Sequence, residues 1–277
     1  VLVRHRVKRL GVEAAHLSVL MAKRLETMNG IKLVDTVEAI ETERMVKTAD
    51  ELRMIRQSQK LNEQVLKMAI TEVRVGISEA QLAWRIEVLA HEIGASDVSF
   101  PPIVAFGAHT ARPHHEPHAA KKLKRGDMVL IDMGIVYKDY TSDLTRTFFT
   151  KTPTSEQADV YTTVLTAHQA AVAAIKPGAL ADDIDRTARL FISDSGYKKK
   201  FGHATGHGIG LDVHELPRVA KNDKTELESG MVITVEPGIY LPGKLGLRIE
   251  DMIEVTAGGH KVLNSFPKDI ASMVLKV

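Results

Sequence analysis

The sequence predicts an α+β fold made of two related halves. Three observations carry that prediction: capped amphipathic helices alternate with short apolar strands, one strand-and-acid unit occurs twice, and the helix before each copy is also repeated. Gly126-Asp-Met-Val-Leu-Ile-Asp132-Met-Gly-Ile135 lies without a gap over Gly230-Met-Val-Ile-Thr-Val-Glu236-Pro-Gly-Ile239. Gly76 and Gly94 bracket one helical stretch, Gly178 and Gly196 the other, and Leu82 falls over Ile184. Two units are too few for a solenoid, which needs at least three to bury its faces. The duplication instead implies packing about a pseudo-twofold axis, with equivalent acids meeting at the middle.

Residues 1–47 mix short apolar runs with scattered charge and carry no evident chemistry. A capping box, Thr48 with Glu51, opens a helix on which Met54, Ile55, Leu61, Val65, Met68 and Ala69 recur at helical spacing. Ser78 with Gln81 opens a second helix, carrying Leu82, Ile86, Leu89 and Ile93 and stopped by Gly94. A third is expected from about Ser155 to Ile175, ending at Lys176-Pro177-Gly178. A fourth carries Ile184, Ala188, Phe191 and Ile192 and ends at Gly196. Strands are expected at Met128–Ile131, Arg146–Phe149, Val232–Val235 and Ile249–Val255, arranged as antiparallel hairpins.

Composition excludes several classes. The 277 residues suffice for one large domain, or one domain with a fragment of another. The 37 Lys and Arg nearly balance 35 Asp and Glu, so no strong field favours nucleic acid or an anionic membrane. Lys121–Arg125 and Lys198–Lys200 therefore read as solvated loops. The absence of cysteine removes disulfides, thiolate zinc sites and thiol nucleophiles, and suits a cytoplasmic location. No apolar run approaches the roughly 18–20 residues of a membrane span, and the basic amino end lacks the apolar stretch of a secretory signal.

The chemistry gathers in a few polar positions. Asp132 ends the strand Val129-Leu-Ile, and Asp143 precedes Leu144-Thr-Arg-Thr-Phe148; Glu236 ends Val232-Ile-Thr-Val, and Glu250 lies within Leu247-Arg-Ile-Glu-Asp-Met252. A carboxylate at the end of an apolar strand is costly to bury alone, and four at one axis would push one another toward protonation. Two divalent cations would cancel that charge. In Phe201-Gly-His-Ala-Thr-Gly-His-Gly-Ile-Gly-Leu-Asp-Val-His-Glu-Leu-Pro217 three histidines alternate with glycines, and His207 is the best nitrogen ligand. His203 and His214 flank it as substrate-facing or proton-handling groups. A second histidine cluster, Arg112-Pro-His-His-Glu-Pro-His118, is stiffened by two prolines.

Taken in order, Ile131-Asp132-Met-Gly, Ser142-Asp143-Leu-Thr-Arg-Thr-Phe148, His203-x-x-Gly-His207-Gly-x-Gly-Leu-Asp-Val-His214-Glu-x-Pro217, Val235-Glu236-Pro-Gly and Arg248-Ile-Glu250-Asp resemble the M24 pita-bread metallopeptidases over about residues 50–270. The likeness is to the Xaa-Pro branch, aminopeptidase P and prolidase. It implies hydrolysis of an Xaa-Pro bond at the N-terminus of short peptides or dipeptides by a hydroxide bridging two divalent ions. Mn²⁺ is the expected ion, with Co²⁺, Zn²⁺ and Fe²⁺ as alternatives. On this likeness Asp132 chelates one ion, Asp143 and Glu250 bridge both, and His207 and Glu236 complete the set. His114 approaches the scissile bond, His214 stabilises the tetrahedral intermediate, Glu236 handles the proton, and His203 and Arg248 line the substrate pocket. His115 and His118 receive no role and read as solvent-facing or as standing behind the ligands.

The family's separate N-terminal domain is represented here only by residues 1–47, read as a remnant or truncated end of it, with the catalytic part at 48–277. The chain begins at Val1 rather than Met, in keeping with a start partway through a longer product. A homodimer is the expected assembly, and no nucleic-acid or membrane partner is expected. Methionine aminopeptidase shares the ligands, but Arg248-Ile-Glu250-Asp and Leu211-Asp-Val-His214 argue against it. Creatinase-like enzymes and non-catalytic relatives keep the fold without needing the complete ligand set found here.

Overall fold

The computed structural model describes residues 4, 5, 7–28 and 30–277. The chain divides into two compact units, residues 1–44 and 45–277. In the first, strand β1 (Arg9–Val12) pairs in parallel with β2 (Lys32–Asp35). Helix α1 (Val19–Glu26) makes the crossover, its N-terminus capped by the Ser18 hydroxyl. Helix α2 (Ala39–Met45) follows.

The second unit is duplicated in backbone as well as sequence. Its first half runs through α3 (Ala49–Thr71), α4 (Glu79–Glu92), β3 (Asp97–Val98), β4 (Ile103–Phe106), β5 (Met128–Met133), β6 (Ile135–Tyr137), β7 (Tyr140–Thr141) and β8 (Leu144–Phe149). The second runs through α5 (Ser155–Ala173), α6 (Ala181–Ile192), β9 (Gly206–Gly208), β10 (Glu215–Val219), β11 (Val232–Val235), β12 (Gly238–Leu241), β13 (Leu245–Arg248), β14 (Asp251–Thr256) and β15 (Gly259–Val262). Thr48 and Thr154 cap α3 and α5 with the same φ of −68° and ψ of 165°, each closing a capping box, with Glu51 and Gln157 respectively. The expected glycine pairs match in conformation: φ is +90° and +81° at Gly76 and Gly178, and +98° and +100° at Gly126 and Gly230. These left-handed values favour glycine at both copies.

Each half folds an inner hairpin between two outer strands. β5 pairs antiparallel with β8, and β6–β7 lie between them in sequence; β11 pairs with β14, and β12–β13 lie between those. The first outer pair belongs to a sheet of order β4-β5-β8, the second to β10-β9-β11-β14-β15. Backbone and side-chain hydrogen bonds join the halves: Glu250 N–H donates to Thr145 O at 3.2 Å, and the Thr147 hydroxyl donates to Arg248 O at 3.0 Å. The helices cover a core that includes Ile131, Phe148, Val164, Ile184, Ile233 and Ile253, all fully buried.

Two expectations need correction. The strand expected at Ile249–Val255 starts two residues later, as β14 from Asp251; β13 ends at Arg248, which leaves Ile249 and Glu250 in a break between the two. On α3, Met68 is 37% exposed, whereas Ser58, Asn62 and Glu63 are buried. Those polar side chains satisfy backbone groups of other segments: Ser58 donates to Ile135 O in β6, Asn62 to Met133 O in β5, and Glu63 accepts from Ser265 and Phe266 N–H in the chain after β15. Hydrophobic periodicity does not register a buried face of that kind.

Candidate metal centre

The fold delivers the four acids at equivalent ends of the two outer strand pairs. Asp132 lies near the end of β5 opposite Thr145, and Asp143 immediately precedes β8. Glu236 immediately follows β11, and Glu250 immediately precedes β14. Strand β9 adds His207 between β10 and β11. Its glycine neighbours are required by close approach. A Cβ on Gly206 would stand 1.9 Å from Thr234 O, and one on Gly208 would stand 2.1 Å from Leu216 O.

The His207 ring is oriented by its own strand: Nδ1 lies 3.0 Å from Gly208 O, so the proton belongs there and Nε2 keeps its lone pair. Nε2 then faces Asp143 Oδ2 at 3.6 Å and Glu236 Oε1 at 3.5 Å. Burial, with the nearby His214, draws the His207 pKa down to about 4, which keeps the ring neutral and able to ligate.

Within this cluster three buried carboxylate oxygens have no hydrogen-bond partner among the described residues: Asp132 Oδ1, Asp143 Oδ1 and Glu250 Oε1. Burial, then the charges of its neighbours, Glu250 foremost, pushes Asp143 well above the ordinary carboxylate range. Glu236 is raised well above it by the same two causes. Glu250 rises to about 8, through burial and then the charge of Asp132. Such a set is unfavourable as bare carboxylates and fits divalent cations, which would engage the idle oxygens and cancel the repulsion. Asp143, His207 and Glu250 each offer a ligand atom within 4.8 Å of the others.

Arg248 sits behind this cluster. Its Nη2 donates to Asp132 Oδ2 at 2.5 Å, Nη1 to the Tyr240 hydroxyl at 2.8 Å and to Pro113 O at 3.3 Å, and Nε to the Thr145 hydroxyl at 3.0 Å. That side chain is 3% exposed. The expectation that Arg248 lines the substrate pocket is therefore revised: its donors are turned inward to the acids and their supports. Thr145 in turn donates to Glu250 Oε2 at 2.6 Å. Tyr240 and Thr145 escaped the sequence reading, since a tyrosine and a threonine in apolar strands carry no signal of their own. Thr145 does fall within the motif Ser142–Phe148, but no role is read for it there.

His203 is wedged against Tyr240, with Nε2 2.8 Å from the hydroxyl, and Nδ1 lies 4.0 Å from Glu236 Oε2. Burial and then Arg248 lower its pKa to about 3. The His214 ring packs edge-on to His207 with centroids 4.4 Å apart, and it is exposed on its other side. His114 is exposed as well and stands close enough to His203 and His214 to depress protonation of both. His214 thus faces solvent within reach of the Asp132 charge, and His114 faces solvent near His203 and His214. His118 is exposed, but His115 is not solvent-facing: it is 3% exposed and bonds through Nε2 to Glu79 Oε2 at 2.8 Å.

Comparison with known proteins agrees with this geometry. Residues 53–257 match the model of Metallopeptidase family M24. The prolidase from Pyrococcus furiosus superposes with a TM-score of 0.90 at 37% identity, over 94% of this chain and 77% of that one. The Xaa-Pro dipeptidase from Bacillus anthracis gives 0.94 at 35% identity, over 97% and 76%. The X-Pro aminopeptidase from Thermotoga maritima gives 0.91 at 33%, over 97% and 76%.

Proposed function

Because the chain belongs to metallopeptidase family M24, we propose that it is a metal-dependent exopeptidase that hydrolyses the Xaa-Pro bond of short peptides or dipeptides. The observation that carries this reading is the cluster of buried carboxylates with unpartnered oxygens beside a neutral His207. Asp132, Asp143, His207, Glu236 and Glu250 would together hold two divalent ions. Four carboxylates and one imidazole are a hard, oxygen-rich set that suits Mn²⁺, with Co²⁺, Zn²⁺ and Fe²⁺ as competitors. When bound, the ions supply Lewis-acid polarisation and a water acidic enough to act as nucleophile near neutral pH.

The protein's own groups do the rest. The free amine of the substrate would sit at the Asp132 end of the site, which would fix cleavage after the first residue. Glu236 accepts the proton of the attacking water and returns it to the departing imide nitrogen, which cannot leave unprotonated. His114 and His214 face the carbonyl oxygen as negative charge builds on it. Arg248 holds Asp132 in position. His203, anchored on Tyr240, forms the pocket wall. The solved neighbours named for Xaa-Pro dipeptidase, prolidase and X-Pro aminopeptidase activity support the proline specificity. A cysteine-free chain is in keeping with a cytoplasmic location.

The test is hydrolysis by metal-stripped protein reloaded with Mn²⁺, Co²⁺ or Zn²⁺ and offered Ala-Pro, Ala-Pro-Ala and Met-Ala-Ser. Metal-dependent cleavage before proline supports the reading. Cleavage of Ala-Pro alone marks a dipeptidase, and cleavage of the tripeptide marks an aminopeptidase. Preference for the methionine peptide would contradict it.

A further inference from the structure

Glu79 begins α4 and is completely buried, and among the described residues every hydrogen bond to its carboxylate comes from the segment that carries His114. Oε1 accepts from Phe106 N–H at 2.8 Å and faces His109 Nδ1 at 2.9 Å. Oε2 faces His115 Nε2 at 2.8 Å and accepts from His118 N–H at 3.1 Å. The contacts fall on both sides of His114 in sequence. Burial works against an ionised Glu79, but the hydrogen bonds from His115, Phe106, His118 and His109 outweigh it and hold its pKa below the usual value. A buried carboxylate bonded so fully is fixed in one position and fixes its donors.

Glu79, His109 and His115 could in principle hold a third cation. The distances speak against it. Ligands about 2.1 Å from one ion stand more than about 3 Å from each other, as the 3.5 and 3.6 Å spacings around His207 do. The 2.8–2.9 Å contacts of Glu79 are those of hydrogen bonds with the proton in place. The duplication adds an independent point. By the offset that pairs Gly76 with Gly178 and Leu82 with Ile184, Glu79 corresponds to Ala181, also fully buried. Capping α6 at that position does without a carboxylate, so the one in α4 serves the loop rather than the helix.

We propose that Glu79 is a positioning residue for the reaction. Its carboxylate fixes the protons of His109 on Nδ1 and of His115 on Nε2 and thereby holds the 106–118 segment so that His114 is presented beside the metal centre. The Pro113 carbonyl, held by Arg248, pins the same segment from the other side. This proposal rests on the peptidase reading for its kinetic part only.

The experiment is Glu79→Gln, alone and combined with His114→Ala, with a parallel Glu79→Asp variant. Glu79→Gln keeps the volume but presents an NH₂ group to N–H donors. We expect it to bind the same number of metal ions as wild type while kcat falls about 10–100-fold, the range usual for residues that orient a reacting group. Glu79→Asp recovers part of that loss. In the double variant the loss equals that of His114→Ala alone, since both act through one imidazole. Independently of activity, nitrogen-15 spectra of the histidine rings show single tautomers at His109 and His115 that become mixed in Glu79→Gln. If Glu79→Gln does not fold, His109→Ala carries the same test at the partly exposed margin of the clamp. Additive losses, unchanged tautomers, or one metal ion fewer per chain in Glu79→Gln would each overturn the proposal. Wild type without peptidase activity but with both tautomers fixed would instead overturn the functional reading and leave the clamp standing.

Discussion

Asp132 and Arg248 are joined across the pseudo-twofold axis: Asp132 Oδ2 accepts from Arg248 Nη2, while Asp132 Oδ1 is buried with no partner. One oxygen is thereby fixed and the other is left for a ligand. A guanidinium can do this while also bonding Tyr240, Thr145 and Pro113, because its donors lie in one rigid plane.

Arg248→Lys keeps the charge and loses that planar set. Divalent-metal affinity should fall about 10–100-fold, as for other residues that orient a metal ligand. Calorimetric titration of Mn²⁺ into the stripped protein measures it. An unchanged affinity would mean that Asp132 needs no such support.

The metal-free protein should lose stability as pH rises. Glu250 titrates at about 8 in the folded chain, raised by burial and by Asp132, against about 4.3 when unfolded. A raised folded pKa gives stability that is complete below the unfolded value and lost as pH climbs through the folded one. His207, lowered to about 4, acts in the opposite sense, but only below about pH 6.5, where the unfolded imidazole gains its proton. Between pH 6.5 and 8 the acid therefore decides the sign. The loss across that window, about 1.5 kcal/mol, lowers Tm by roughly 3–6 °C. Divalent ions should remove this slope and release protons on binding, both readable by thermal melts and calorimetry in paired buffers.

Glu250→Gln removes one of the repelling charges. The metal-free variant should melt at or above the wild-type temperature at pH 8, yet gain nothing from Mn²⁺ and have no peptidase activity. A variant that melts lower without metal would show that Glu250 is held by its Thr145 hydrogen bond rather than destabilised by its neighbours.

His214→Ala should leave the metal content unchanged and cut kcat by about 10²–10³, the usual effect of losing one donor to a developing oxyanion. Elemental analysis alongside steady-state kinetics separates the two effects. Loss of both ions would show that its edge-on packing against His207 is what keeps that ligand in place.

Much of the centre was legible because its residues sit at duplicated strand ends, where an acid after an apolar run stands out. Asp132 and Glu236 announce themselves in this way, and the glycines around His207 mark a strand with no room for Cβ atoms. The supports were not legible. Tyr240, Thr145 and Glu79 matter through partners at least 8 residues away in sequence, and up to 105 for the Thr145–Glu250 bond. Nothing local distinguishes them from ordinary strand or helix-cap residues. The same holds for the buried polar face of α3, whose partners are backbone groups of another element.

The most direct test is the count of metal ions per chain set against activity. Stripped protein is titrated with Mn²⁺, and bound metal and Ala-Pro or Ala-Pro-Ala hydrolysis are read on the same samples. Two ions per chain, with activity that rises as they bind and is absent from Glu250→Gln, is the expected result. Full hydrolysis by metal-free protein, or two ions retained by Glu250→Gln with normal turnover, would contradict the assignment of the centre.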